Sequence, residues 1–200
     1  MGTAHDLSAL AASPDADPGL EEGDLSLALA GAELLDLVGV QAVLLVSDRI
    51  LPLVSPRHVD LMLAEAASKI VQDSPYETVE NWLWRRGRDL AARYRAAVEV
   101  AAPGDSTWSY RHPFRRGHPM VVNPFVLRHG IDRLESGEPL LVGLAAAAGM
   151  AEAPTDESDG LTDDEAFILA EVHRAITQLA AERQRRSVEQ GAYDNIWRAP

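Results

Sequence analysis

Apolar residues recur at helical spacing through most of the chain, and cluster into short strand-like runs in only a few places. A short helix is predicted over 5–12, followed by a loop rich in Asp, Pro and Gly over 13–23. The next segment, 25–38, is strongly apolar. Leu27, Ala30, Leu34, Leu35 and Val38 fall on one helical face, with Glu33 and Asp36 expected to turn outward and Gly39 to stop the helix. Residues 42–46 and 50–54 are β-branched and Leu-rich. They predict a hairpin across a three-residue loop, Ser47, Asp48 and Arg49.

Helix-start devices follow. Ser55 and Pro56 read as N-cap and first helical residue of a helix whose apolar face is Val59, Leu63, Ala66, Ala67 and Ile70. Ser74, Pro75 and Glu77 repeat the device as a capping box. That helix is expected to run through Val79, Trp82 and Leu83, pause near Gly87 and resume over 90–98. The turn residues Pro103, Gly104, Asp105 and Ser106 predict a second hairpin between 98–102 and 107–110, with Trp108 and Tyr110 on one face. Residues 111–124 read as a Pro-containing loop, with helices at about 124–134 and 140–150. An acidic, turn-rich stretch expected to be mobile covers 151–160. Thr162 and Glu165 form another capping box, opening a long helix to about Gln190 with Phe167, Ile168, Val172, Ile176 and Leu179 inward.

The fold class is therefore mainly α, a compact helical domain with two small β-hairpins. Strand and helix do not alternate, so a doubly wound sheet is not expected. Residues 1–23 form an N-terminal segment and acidic loop, 24–150 the helical core, 151–160 the acidic loop, and 161–200 a long helix and tail in the same domain.

Composition narrows the function. The chain has 200 residues, 46% of them hydrophobic, which supplies an ordinary core. It has no cysteine, which excludes disulfides, thiolate metal sites and a Cys nucleophile. The first ten residues lack a basic region and carry Asp6, unlike a secretory signal. No apolar run approaches the ~18–20 residues that span a bilayer. A cytoplasmic protein is expected, at most peripheral on the inner face of a membrane. The net charge of −13 argues against bulk, nonspecific nucleic-acid binding. That charge is unevenly placed: 1–84 carries −11, 85–133 carries +6, and 134–200 carries −8. A basic middle between acidic flanks is either compensated within the fold or presented to an anionic partner.

No catalytic signature emerges. Gly104, Asp105 and Ser106 make a turn, not a nucleophile elbow. Nucleotide phosphate loops are absent, and His112, His118 and His129 lack the spacing that places two imidazoles on one helix face. Asp163, Asp164 and Glu165 suit a helix N-terminus better than a metal. No enzymatic activity, metal or cofactor is expected. Trp82 and Trp84 point in different directions, so one is expected in the core and one partly exposed. Arg85 and Arg88, three apart, are expected to share a helix face. Such a pair suits bidentate binding of phosphate, sulfate or carboxylate, and equally suits a structural salt bridge.

Residues 24–37 resemble the first core helix of the Golgi phosphoprotein 3 family, with its L-x-G-x-x-L-x-[ED]-L pattern, in a bacterial, actinobacterial-type version. The hairpin over 42–54 follows at the matching place. Pro56, Asp60, Leu63 and Ile70 are similar to the family's next helix. Glu77, Thr78, Val79, Asn81, Trp82 and Leu83 are similar to its E-T-V-x-N-W-[IL] segment. The resemblance covers about 20–100. It implies a helical, noncatalytic domain that binds membranes peripherally through phosphatidylinositol 4-phosphate and also binds protein tails. It implies a headgroup site built from a Trp and an Arg near the first helix and two basic residues on a later one. Glu21 and Ala30 stand at the first two positions; Arg85 and Arg88 correspond to the later pair. It also implies an inserting hairpin, for which Trp108 and Tyr110 supply the interfacial aromatics.

Three readings follow. The first is a noncatalytic Golgi phosphoprotein 3-like protein on anionic phospholipid headgroups. The second is an interaction or regulatory module whose basic patch meets an acidic protein partner. The third, which the net charge disfavours, is a winged-helix-like nucleic-acid binder.

Overall fold

The apolar run early in the chain becomes the axis of the molecule. In the computed structural model it forms α2 (Glu22–Gly39), in which every residue from Leu25 to Leu35 is buried. A helix apolar on all sides must be covered on all sides. The structure describes residues 2–14, 16–53, 60–101, 123–152 and 160–198, with backbone alone for 98–101 and 191–198.

Around α2 stand α1 (Thr3–Ala11), β1 (Val43–Val46), β2 (Arg49–Pro52), α3 (Leu61–Ser68), α4 (Val79–Arg86), α5 (Leu90–Ala101), α6 (Pro124–Glu135), α7 (Pro139–Ala147) and α8 (Asp163–Arg198). All of these except β2 and α6 contact α2 substantially, and α6 reaches the assembly through α1 and α7. A single apolar cluster runs from Ala4 and Leu7 to Ile168, Val172 and Ala175. The fold is mainly α with a small antiparallel hairpin.

The hairpin turn has two residues, not three. Arg49 pairs with Val46, leaving Ser47 and Asp48 in the turn. Ser47 adopts φ 58°, the left-handed conformation that a glycine would otherwise supply. The second predicted hairpin loses its first strand, because α5 continues through Ala101. The Ala-rich sequence of α5 is a good helix former, and its strand-like valines do not override that. Trp108, Tyr110 and the turn between the expected strands lie outside the described residues, as do 54–59 and 153–159. The cap of α3 is Asp60, which accepts from Leu63 N at 2.9 Å, rather than the expected Ser55. The cap of α4 is Thr78, not Ser74. Segment 76–78 instead pairs with β2, where Ile50 N donates to Glu77 O and Val79 N to Asp48 O. The box at Thr162 and Glu165 forms as expected, and its helix extends beyond Gln190 to Arg198.

Two acidic side chains hold α1. Asp36, on α2, accepts from Thr3 N at 2.8 Å and Ala4 N at 3.1 Å, capping the helix; burial pushes its carboxyl upward against those bonds. Asp6, fully buried, meets His129 Nδ1 at 3.0 Å and Arg133 Nη1 at 2.5 Å on α6.

The crossing of α2 and α8 is close at Gly31, where an added Cβ would lie 2.3 Å from Val172 Cγ2. Gly31→Ala is therefore expected to destabilise the fold by about 1–3 kcal/mol. Gly39→Ala, at a position with open space, is expected to be neutral or slightly stabilising. Thermal unfolding of the two variants checks this contrast.

Candidate functional site

The first part of the basic middle, Arg85 to Arg95, is carried by α4, α5 and the turn between them, while Arg128 and Arg133 stand on α6 and pair with Asp132 and with Asp6 and Glu138. Helix α4 runs antiparallel to α2. Fully buried Trp82 donates from Nε1 to Ala30 O at 3.0 Å, and Gly87 passes close to Ser26 and Leu27. A Cβ at Gly87 would lie 2.6 Å from Leu83 O and 3.4 Å from Ser26 O, so this turn needs glycine.

That path carries Arg86 into the core. Its Nε and Nη2 donate to Glu33 at 2.6 and 2.8 Å, and its Nη1 donates to Glu65 at 3.2 Å. Tyr94 OH donates to Glu33 at 3.2 Å, and Arg93 bonds Glu65. Glu33 is thus buried inside the fold, not turned outward. Burial pushes its carboxyl upward, opposed by Arg86. The guanidinium of Arg86 is itself held above its ordinary range, because Glu33 and Glu65 outweigh its own burial. Burial, with Glu33 beside it, pushes the Tyr94 phenol well up. Burial also pushes Glu65 up, but hydrogen bonds from Arg93 and Arg86 outweigh it and hold the carboxyl below its ordinary 4.5.

The two arginines expected to share a face are placed differently. Arg85 ends in a bidentate pair with Glu77, at 2.7 and 2.6 Å, and also donates to Lys69 O at 3.0 Å. Its guanidinium carbon is 5.3 Å from the Trp82 ring centroid. The bond to Glu77 holds its proton more tightly than usual. Helix α4 ends at Arg86, and the chain turns through Gly87 and Asp89 (φ 54°), so Arg88 lies past the helix. Arg88 is exposed and, among the described residues, has no carboxylate partner. It stands on a groove of about 360 Å³ with Glu22, Ser26, Leu27, half-buried Trp84, Asp89 and Leu179. Arg95 is turned toward Glu22 at 3.6 Å.

Arg85, Arg86, Arg93 and Arg95 therefore each face a carboxylate, and intramolecular compensation accounts for them. Trp108, Tyr110, Arg115, Arg116, His112 and His118 lie outside the described residues. Among the described residues no three or more His, Asp or Glu side chains are placed to hold a metal. The sequence reading missed the Glu33–Arg86 pair. Its signal was an acidic residue among some ten apolar ones, which a buried helix tolerates only with a cation opposite.

The sequence model of the Golgi phosphoprotein 3 (GPP34) family matches residues 4–102. No curated protein and no solved structure matches the chain.

Breaking the buried pair by Arg86→Met is expected to cost about 3–5 kcal/mol, because buried Glu33 is left without its counter-ion. The double variant Glu33→Leu/Arg86→Met is expected to recover most of that loss in urea unfolding. The pH dependence follows from Glu65. Its carboxyl is held low in the folded protein, so its stabilisation is complete above the ordinary carboxylate range and is lost as pH falls through it. Glu65→Gln is expected to flatten the fall in stability as pH drops through and below the ordinary carboxylate range, measured as midpoints of chemical unfolding.

Proposed function

Given that the chain belongs to the Golgi phosphoprotein 3 family over residues 4–102, we propose that it is a noncatalytic member binding anionic phospholipid surfaces peripherally. Family membership carries this reading. It agrees with the absence of a catalytic signature in the sequence, and with a described fold in which no helix is long and apolar enough to cross a membrane.

The headgroup contact is assigned to Arg88. A phosphate needs a cation that no carboxylate already occupies. Arg88 offers one on a groove lined by Leu27, Trp84 and Leu179, and also by Glu22 and Asp89. Arg85 has a weaker claim, because its fork is filled by Glu77; it adds positive potential beside Lys69 rather than a free donor set. Phosphatidylinositol 4-phosphate, the ligand implied by the resemblance, is one headgroup with suitable chemistry. Trp108 and Tyr110 complete the proposal as aromatics at the lipid–water interface.

Co-sedimentation with phosphatidylcholine vesicles, with and without anionic lipid at low salt, tests it. Binding is expected on anionic vesicles alone and is expected to fall as salt rises. Arg88→Glu is expected to weaken it about fivefold or more. Equal behaviour on both vesicle types would overturn the lipid reading.

A further inference from the structure

The groove that holds Arg88 carries charge of both signs. Arg88 and Asp89 are consecutive, both exposed, and both line it, together with Glu22 from the first turn of α2. Consecutive opposite charges can pair in a turn, as Asp48 and Arg49 do in the hairpin. Arg88 and Asp89 do not, and neither has another ion-pair partner among the described residues. Asp89 stands just before Leu90, the first residue of α5, where a carboxylate ordinarily caps the helix. Its backbone takes φ 54°, which Asp tolerates better than most residues, and its carboxylate accepts no hydrogen bond among the described residues. Glu22 has only a long contact with Arg95, 3.6 Å between two exposed side chains, which water screens.

Neutral donors complete the set. Ser26 lines the same groove and is 4% exposed. Its Oγ accepts from Ala91 N at 3.1 Å, and its own proton has no acceptor among the described residues. A buried donor left unused is uncommon and points to a missing acceptor. Half-buried Trp84 likewise has no acceptor for its Nε1 proton among the described residues. Leu27 and Leu179 supply apolar surface beside these groups, and the volume of about 360 Å³ is that of a small-ligand site. The ligand that fits must therefore bring an anion for Arg88 and Ser26 and a cation for Asp89 and Glu22. A headgroup with several phosphates and no cation would set its charge against both carboxylates. A quaternary ammonium has no N–H to give them. A primary ammonium joined to a phosphodiester through two carbons satisfies both sides at neighbouring positions, as Arg88 and Asp89 are neighbours.

We propose that the Arg88 groove selects aminophospholipids of the phosphatidylethanolamine type. The phosphate lies on Arg88 and Ser26, the primary ammonium on Asp89 and Glu22, and Leu27 and Leu179 flank the glycerol. This deepens the lipid reading and rests on it. The anionic surface supplies general attraction, and the groove adds a choice among headgroups. The carboxylates of the groove have a role in that choice: they repel a ligand that is only anionic and accept one that carries its own cation.

Vesicles of phosphatidylglycerol in phosphatidylcholine are compared with vesicles of the same phosphatidylglycerol content in which phosphatidylethanolamine replaces part of the phosphatidylcholine. The net charge is equal, so the headgroup N–H donors are the intended difference. Binding is expected to be about threefold to fivefold tighter with phosphatidylethanolamine. Glu22→Gln/Asp89→Asn is expected to lose that gain, yet to bind the vesicles without phosphatidylethanolamine more tightly than the parent, because two like charges are gone. Asparagine keeps the left-handed backbone at 89 accessible. Soluble glycerophosphoethanolamine is expected to erase the gain in competition, and glycerophosphocholine to leave it. Equal binding with and without phosphatidylethanolamine would overturn the headgroup selection and leave the lipid reading standing. A gain that the double variant keeps would assign it to bilayer packing and overturn the groove. Glycerophosphoethanolamine bound in calorimetry without sedimentation on any vesicle would support the phosphate–ammonium chemistry and overturn its lipid source. Binding to neither would overturn both readings.

Discussion

The fold turns on a carboxylate where water cannot reach. Glu33 sits in the middle of a helix buried on every side, and a charge there is tolerable only with its counter-ion and hydrogen bonds supplied. Arg86 supplies both, and Tyr94 and Glu65 complete the set. Meeting that demand sets α4 antiparallel to α2 and brings Trp82 to Ala30. It also draws Arg93 into the same network through Glu65. Replacing the pair with well-packed apolar groups could be as stable, so its distinctive contribution is register: α4 has one position along α2 at which Arg86 is paired.

This constraint redistributes the charge. In sequence, 85–133 looks like a block of free cations. In the fold, the arginines of α4 and α5 are largely matched to Glu33, Glu65, Glu77 and Glu22. Among the described residues, Lys69 and Arg88 remain as exposed cations with no carboxylate partner. A partner bearing phosphate would therefore meet a few placed charges rather than a diffuse basic face. Long-range attraction from a molecule of net −13 would be weak, and apolar contact would have to contribute.

The helices were legible because burial writes a 3.6-residue period. The spacing of Leu27, Leu34 and Val38 locates α2, and Ile168 and Val172 locate α8. Caps were less legible. Ser74 and Thr78 are both competent N-caps, and the choice of Thr78 depends on segment 76–78 pairing with β2, a contact between residues far apart in sequence. Likewise, Arg85 and Arg88 looked like neighbours because three residues separate them. The helix ends between them, at a glycine that must pass against Ser26.

The sequence by itself determined the helical class, the axial helix, the first hairpin and the family resemblance, because these follow from local periodicity and from the order of short motifs. It also determined that no thiol chemistry is available. Only the tertiary structure decided which charges are satisfied internally and which face outward. Glu33 and Arg86 lie 53 residues apart, and no local pattern relates them. Nor does strand alternation say which face of β1–β2 is covered. That depends on what packs against it, and here it leaves Leu44, Val46 and Leu53 in water.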